Sequence, residues 1–216
     1  VLMALGAMYV GVPHAPISPA YSLVYRDYGK LCHIIDLLTP GMVFAADGTQ
    51  FAAAIDAVVP TEVELVSTRN PMAGRPTTMV AELSSTLATT AVDEAHAQVG
   101  PDTIAKLLFT SGSTGLPKGV ITTERMLCSN QVMLNTMLPF LKDEPPVIVD
   151  WLPWNHVFGG SHNVGLILFN GGSFYIDDGR PTPQGIAATV RNLREIAPTV
   201  YFNVPKGFEE LVPHLR

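Results

Sequence analysis

The chain contains 216 residues, of which 47% are hydrophobic and 15% are charged, so it can bury a sizeable core. This composition excludes an intrinsically disordered protein, which combines low hydrophobicity with high charge. The formal net charge of −6 argues against a general nucleic-acid-binding protein, because there is no excess of basic residues to neutralise phosphates.

The first thirteen residues, VLMALGAMYVGVP, form an apolar run that is too short to span a bilayer. A secretory signal peptide would also carry an initiator methionine and a basic segment, and this run has neither. Because the chain opens inside a helix-like run, we predict that it is a fragment of a longer protein.

Helix-like and strand-like segments alternate between residues 28 and 110. The run YGKLCHIIDLL has apolar residues at helical spacing and is followed by Thr39-Pro40-Gly41, which predicts a helix and its end. The predicted strands in this half are 42–46, 63–67 and 105–110, and the predicted helices are 28–38, 48–59 and 92–99. This alternation is typical of α/β proteins with largely parallel sheets.

The second half continues the same pattern after a helix predicted at 125–138, whose methionines we expect to fill core gaps. A charged, proline-ended break at 141–146 predicts a division into two α/β subdomains, 1–140 and 141–216. Strands are predicted at 147–152, 173–176 and 199–204, and helices at 163–170, at 184–196 and from residue 206. The predicted fold class is therefore α/β, with stacked, largely parallel sheets and helices on their faces.

The segment TSGSTGLPKG, residues 110–119, combines three glycines, four hydroxyl side chains and one lysine between two predicted ordered elements. Glycines let backbone N–H groups turn inward to form an anion-binding nest, the hydroxyls add donors, and Lys118 adds a positive charge. The pattern therefore predicts a polyphosphate-binding loop. It differs from the Walker pattern, because Lys118 follows a proline and precedes a glycine.

The stretch LLFTSGSTGLPKGV, residues 107–120, resembles the phosphate loop of the adenylate-forming superfamily, which includes acyl- and aryl-CoA ligases, luciferases and peptide-synthetase adenylation domains. A second stretch, WLPWNHVFG at 151–159, is similar to the family's LPxxHxxG segment. The resemblance covers essentially the whole chain, and DWLPWNHVFGGSHN, NGGSFYIDDGRP and REIAPTVYFNVPKGFEELVP look most like bacterial feruloyl-CoA synthetases. It implies an incomplete N-terminal domain of an adenylate-forming enzyme, without the C-terminal domain.

The resemblance implies a two-step reaction that uses ATP, Mg²⁺ and coenzyme A. An acid carboxylate attacks the α-phosphate of ATP and expels pyrophosphate, and the CoA thiolate then displaces AMP from the acyl-adenylate. An in-line displacement of this kind needs donors placed in advance where charge develops. The implied acid is aromatic, a hydroxycinnamic acid such as ferulic acid. A medium-chain acyl-CoA ligase and a non-enzymatic nucleotide-binding module that keeps only the loop are the alternatives.

The resemblance also assigns candidate site residues. Those expected to hold the β- and γ-phosphates are Thr110, Ser111, Gly112, Ser113, Thr114, Gly115 and Lys118. His156 matches the family histidine where the acyl pocket meets the nucleotide, and it is the candidate catalytic residue. Trp154 and Phe158 are candidates for flanking an aromatic acid, although aromatic residues beside a strand are also common in a core. No metal ligand is predicted, since the segment between His156 and His162 has no carboxylate or thiol.

Two features depart from the family pattern. Glu124 stands where many relatives have histidine, which leaves the conformation at the loop exit open. The family's adenine-binding segment, metal-binding glutamate, ribose-binding aspartate and C-terminal lysine would lie beyond Arg216, so we expect the isolated chain to be inactive.

The expected partners are a small carboxylic acid, ATP and CoA, with no nucleic acid and no membrane span. With only two cysteines, Cys32 and Cys128, the chain has no disulfide framework. We therefore expect free, mostly buried thiols and a cytoplasmic location.

Overall fold

Helices and strands alternate along the chain in the computed structural model, which describes residues 1–25, 27–110 and 115–214. The strands of these ranges are β1 (Met42–Asp47), β2 (Glu64–Arg69), β3 (Thr78–Met79), β4 (Ile104–Thr110), β5 (Lys118–Thr123), β6 (Val147–Asp150) and β7 (Ser173–Ile176). The helices are α1 (Leu2–Tyr9), α2 (Ala20–Leu23), α3 (Gly29–Leu38), α4 (Gly48–Val58), α5 (Val80–Ser84), α6 (Thr90–His96), α7 (Glu124–Met137), α8 (Val164–Asn170), α9 (Ile186–Glu195) and α10 (Pro205–Leu211). Short 3₁₀ turns lie at Pro139–Lys142 and Val212–His214, and a π-helical segment at Phe158–Asn163. The order confirms the predicted α/β class.

The chain forms two compact units, and each is assembled from separate stretches of sequence. The first contains the described parts of 1–11, 17–99 and 109–120, and the second those of 12–16, 100–108 and 121–216. These units differ from the predicted division at 140/141, because α7 packs against α8 and the π-helical segment and so belongs to the second unit. The division of the complete protein into domains stays a prediction.

The first unit is built on the parallel sheet β1–β2–β3, in which Val43 lies opposite Leu65 and Ser67 opposite Met79. Helices α3 and α4 contribute its core. The buried apolar residues of this core are Tyr21, Leu31, Ile34, Ile35, Ala54, Ile55, Val59, Val63, Leu65 and Met72. Burial of this apolar surface is the main stabilising contribution to the unit.

Asp47 links the end of β1 to the start of α4. Its Oδ1 accepts a hydrogen bond from the backbone N–H of Gln50 at 3.0 Å, which caps the helix. Its Oδ2 accepts from Arg69 Nε at 3.0 Å and from Asn70 Nδ2 at 2.9 Å. The helix cap, the Asn70 amide and the Arg69 guanidinium together hold the pKa of Asp47 below its usual value, and the carboxylate fixes the corner where two strands end.

The second unit is built on the parallel pair β6–β7, in which Val147 lies opposite Ser173 and Asp150 opposite Ile176. Its core contains Leu141, Ile148, Leu166 and Ile167. At the end of β7, the buried carboxylate of Asp177 accepts hydrogen bonds from Gly179 N at 2.8 Å, Thr189 Oγ1 at 2.5 Å and Asn192 Nδ2 at 2.8 Å. This turn ties the strand to α9.

The predicted strand at 199–204 is wrong. Thr199 donates its N–H to the Val147 carbonyl at 3.0 Å, but the Val147 N–H donates to the Thr199 hydroxyl at 2.9 Å. The side chain thus replaces the backbone carbonyl that a ladder needs, and residues 200–204 continue as irregular chain into α10.

The expectation that the α7 methionines lie in the core is also wrong. Met126, Met133 and Met137 are all more than half exposed, at 57%, 56% and 77%. The buried residues of α7 are instead Gln131 and Asn135. This helix therefore buries a polar stripe, which its apolar spacing does not reveal.

Both cysteines are exposed, which contradicts the prediction of mostly buried thiols. The Asp36 carboxylate, which accepts a hydrogen bond from Cys32 Sγ at 3.6 Å, raises the pKa of that thiol. Among the helices of the described ranges, none is long and apolar enough to cross a membrane. The cytoplasmic location stays a prediction.

Candidate active site

The predicted phosphate loop connects β4 to β5. Ser111, Gly112, Ser113 and Thr114 lie outside the described residues, so only the two ends of the loop can be compared with the prediction. Thr110 Oγ1 lies 3.5 Å from the carbonyl oxygen of Lys118, at the long limit of a hydrogen bond. Gly115 and Lys118 are exposed. The ends of the loop therefore meet, with the lysine at the first position of β5.

Pro117 fixes the backbone immediately before Lys118. It is fully buried, and its carbonyl oxygen accepts a hydrogen bond from His33 Nε2 at 3.1 Å. Because a carbonyl can only accept, the His33 proton lies on Nε2. Helix α3 thus anchors the exit of the loop while the lysine side chain stays exposed.

His156 lies in a tight turn that precedes the π-helical segment. Its N–H donates to the Pro153 carbonyl at 3.1 Å, and its own carbonyl accepts from Gly160 N at 2.9 Å. The ring Nδ1 accepts from the backbone N–H of Phe158 at 3.3 Å. A neutral His156 ring therefore carries its proton on Nε2, and the side chain is exposed.

The glycine of the LPxxHxxG segment is required by close packing. A Cβ atom on Gly159 would lie 2.8 Å from the carbonyl oxygens of both Leu152 and Pro153, a distance that real Cβ atoms essentially never show. The absence of a side chain lets residues 152–153 pack directly on the first turn of the π-helical segment. Such π turns are frequent at functional sites.

The two aromatic candidates for the acid pocket both make aromatic contacts inside the second unit. Trp154 packs edge-on against Phe174 of β7 with 6.0 Å between ring centroids. Phe158 packs edge-on against His162 at 5.3 Å and against Phe202 at 6.5 Å. Both are half-buried. Such contacts are as typical of core residues as of residues that line a pocket. The role of the two aromatic residues in an acid pocket stays a prediction.

The family of the chain follows from a comparison with known sequences. The sequence model of the AMP-binding enzymes matches residues 1–216, the whole chain. The chain belongs to the AMP-binding enzyme family.

Two curated relatives are named as fatty-acid ligases. A long-chain-fatty-acid–CoA ligase of Gallus gallus is 29% identical over 119 residues, which are 54% of this chain and 15% of the relative. A medium-chain-fatty-acid–[acyl-carrier-protein] ligase of Teredinibacter turnerae is 42% identical over 71 residues, which are 33% of this chain and 11% of the relative. The aligned regions are therefore a small part of both relatives.

A solved structure resembles this chain in fold over nearly its whole length. A malonyl-CoA ligase, determined as a ternary product complex with methylmalonyl-CoA and AMP, superimposes with a TM-score of 0.69 at 21% sequence identity. The alignment covers 98% of this chain and 38% of that chain. The chain thus shares its fold with part of that ligase.

One residue of this AMP-binding enzyme that the sequence analysis did not single out is Lys106, in the middle of β4. It is only 4% exposed, and its Nζ donates a hydrogen bond to the carbonyl oxygen of Gly160 at 2.8 Å. Burial lowers the pKa of Lys106 to about 8, and the nearby carboxylate of Glu124 opposes this shift. The available signal was a charged residue within the apolar run AKLLFT, where a lysine needs a specific partner.

Glu124, for which the sequence predicted no definite conformation, lies in the first turn of α7. The Thr123 hydroxyl caps this helix by accepting from Met126 N at 3.4 Å, and Glu124 N donates to the Thr103 carbonyl at 3.0 Å. Burial raises the pKa of the Glu124 carboxyl, and the positive charge of Lys106 opposes this shift. A helix start favours a negative charge, which suits glutamate at this position.

Buried polar atoms collect around the π-helical segment. Within the described residues, no hydrogen-bond partner is found for Gln131 Oε1, Asp150 Oδ2, Ser161 Oγ or Asn163 Nδ2. The other oxygen of Asp150 accepts from Leu152 N at 3.0 Å, and burial raises the pKa of this carboxyl. The interior beside the His156 turn is thus polar, which sequence periodicity did not indicate.

Proposed function

We propose that this chain is part of an ATP-dependent acid–CoA ligase, which activates a carboxylic acid as an acyl-adenylate and transfers the acyl group to coenzyme A. The observation that carries the proposal is the family match over residues 1–216. The names of the relatives support acid–CoA chemistry, since they include a fatty-acid–CoA ligase and a malonyl-CoA ligase.

In the first step, a carboxylate oxygen of the acid forms a bond to the α-phosphorus of ATP, and the bond to the bridging oxygen breaks. Pyrophosphate leaves with the electron pair. Lys118, Thr110 and Gly115, together with residues 111–114, stabilise the charge that develops on this leaving group. In the second step, the CoA sulfur bonds to the acyl carbon, and AMP leaves.

His156 is the proposed catalytic residue of the second unit. With Nδ1 accepting from the Phe158 N–H, the neutral ring can donate only from Nε2. This donor suits the negatively charged oxygens of the acid carboxylate and of the α-phosphate. The turn thus selects the tautomer that such a role requires.

Mg²⁺ enters the proposal through the family resemblance, as a counter-charge for the phosphates of ATP. Among residues 1–25, 27–110 and 115–214, no group of three His, Cys, Asp or Glu side chains is arranged to hold a metal ion. We therefore assign Mg²⁺ no ligands in the described part of this chain and no step of the reaction.

The proposed acid is an aromatic one, a hydroxycinnamic acid such as ferulic acid. The support is the sequence resemblance and the aromatic side chains of Trp154 and Phe158 beside His156. A medium-chain fatty acid is the second candidate, favoured by the 42% identity with the Teredinibacter turnerae ligase. The cytoplasmic location belongs to the same proposal.

The test measures carboxylate-dependent ATP–pyrophosphate exchange by the complete reading frame that contains this chain, with Mg²⁺ and with ferulate, coumarate or octanoate. We expect exchange with ferulate and coumarate to exceed exchange with octanoate, and thioester to form when CoA is added. His156→Ala should lower kcat/KM, whereas His214→Ala, at an exposed histidine of the same unit, should not. Preference for octanoate would reject the aromatic acid, and no exchange with any acid would reject the ligase.

A further inference from the structure

We propose that Lys106 is a positioning residue for His156: its buried ammonium group holds the Gly160 carbonyl and thereby fixes the turn that presents the imidazole. The catalytic part of this inference rests on the proposed function. The positional part concerns only the geometry of the second unit and can be tested without activity.

Two consecutive hydrogen bonds connect Lys106 to His156. The Lys106 ammonium donates to Gly160 O at 2.8 Å, and the N–H of the same glycine donates to His156 O at 2.9 Å. Within the turn, Phe158 N donates to the ring Nδ1 of His156. Gly160 is therefore bonded to the backbone of His156, and the ring of the same residue is held by the next backbone donor in the turn.

Two side chains donate to carbonyls of the π-helical segment, where the regular α-helical ladder is interrupted. Lys106 donates to the Gly160 carbonyl, and Gln131 of α7 donates at 3.4 Å to the Ser161 carbonyl, which also accepts from the Val164 N–H. Gly165 has no Cβ, which leaves room for the Gln131 amide. Side chains from β4 and α7 thus hold two successive carbonyls.

Packing alone does not explain a lysine at this position. Lys106 is 4% exposed as a residue, so its charge is costly to bury, and a methionine would fill similar space without that cost. The lysine is therefore best explained by the hydrogen bond that its ammonium group donates to the Gly160 carbonyl.

Two titratable groups, His14 and Glu124, lie near Lys106. His14 belongs to the segment that pairs with Lys106, and Glu124 begins α7. Burial and the Lys106 charge lower the pKa of His14, which keeps that ring neutral. Burial lowers the pKa of Lys106 to about 8 against the opposing effect of Glu124. Above that pH the group becomes a neutral amine, which is a weaker donor than an ammonium, so the hold on Gly160 should weaken as the pH rises.

The experiment uses the complete enzyme with four variants: Lys106→Met, His156→Ala, the double variant, and Lys142→Met as a matched control at an exposed lysine of the same unit. The first readout is the rate of ATP–pyrophosphate exchange between pH 6 and pH 10. The second is the ¹⁵N NMR spectrum of labelled histidines, in which the His156 signal is assigned from its loss in His156→Ala.

We expect Lys106→Met to lower kcat for adenylation about ten- to a hundredfold with little change in the KM for ATP, because a charge-assisted hydrogen bond is lost. The double variant should be no slower than His156→Ala, since Lys106 acts through His156. The decline of the wild-type rate above pH of about 8 should disappear in Lys106→Met and in His156→Ala. The His156 ring signals should shift over the same pH range in wild type and in the control Lys142→Met, but not in Lys106→Met.

The inference would be overturned if the rate losses of the two single variants multiplied in the double variant. It would also be overturned if the His156 signals changed neither in Lys106→Met nor with pH. If wild type shows no exchange with any acid, the proposed function fails, and the NMR result alone decides whether Lys106 positions His156. If Lys106→Met does not fold, the pH dependence of the wild-type His156 signal decides, because it needs no substitution at Lys106.

Discussion

Replacing Gly159 with alanine tests whether the His156 turn needs the close backbone approach beneath it. The new Cβ would lie 2.8 Å from two carbonyl oxygens, and ordinary contact begins at 3.4 Å, so the backbone must move by about 0.6 Å (3.4 − 2.8). Both atoms are main chain and cannot rotate away. Since a misplacement of about 1 Å can cost about a hundredfold in rate, we expect adenylation to slow about tenfold. Overpacking should also lower the free energy of unfolding by about 1–3 kcal/mol.

The assay combines ATP–pyrophosphate exchange with urea unfolding of the complete enzyme. Gly100→Ala is the matched control, because its Cβ would meet open space in the same unit. A Gly159→Ala enzyme that folds and exchanges pyrophosphate at the wild-type rate would refute the link between this turn and the reaction.

Two further predictions concern other parts of the chain. Lys118→Ala should slow adenylation about ten- to a hundredfold while leaving CoA transfer from a preformed adenylate nearly intact, because the lysine acts on the pyrophosphate; equal losses in both half-reactions, measured separately, would contradict this role. Thr189→Val should lower the free energy of unfolding by about 2 kcal/mol, since a buried oxygen of Asp177 loses its hydroxyl donor. In urea unfolding, Thr136→Val at an exposed hydroxyl is its control, and equal effects of the two variants would argue against a special role for the buried bond.

The first unit was largely predictable from the sequence because local residue patterns mark where its helices and strands begin and end. The strand at 42–46 and the helix at 48–59 were found within one residue of their ends, since an apolar run stops at an Asp-Gly pair that caps the next helix. Asp47 is both the last residue of the strand and the helix cap. Propensity and tertiary packing agree at such a corner.

The second unit was less predictable because its decisive contacts are long-range. The bond between Lys106 and Gly160 joins residues 54 positions apart, and no local periodicity encodes it. The strand predicted at 199–204 failed because a single hydroxyl, that of Thr199, takes the place of a carbonyl. The polar side of α7 was missed because its exposed methionines mimic a core pattern.

The candidate site was predictable as a set of residue types but not as a geometry. The loop and the LPxxHxxG segment are each a run of consecutive residues, so the resemblance located Lys118 and His156 directly. The anchoring of Pro117 by His33 and the partner of the buried lysine depend on groups distant in sequence. The tautomer of His156 depends on the geometry of its own turn, through the N–H of Phe158.

The interleaving of the two units along the chain has a consequence for synthesis on the ribosome. The segment 12–16 belongs to the second unit, but the next stretch of that unit begins at Gly100, 84 residues after Pro16 (100 − 16). At typical elongation rates of about 5–20 residues per second, this segment waits roughly 4–17 s for β4, its hydrogen-bonding partner at His14. Residues 17–99 of the first unit should therefore be synthesised before β4, and a translational pause introduced between residues 100 and 103 should leave His14 without its partner in β4.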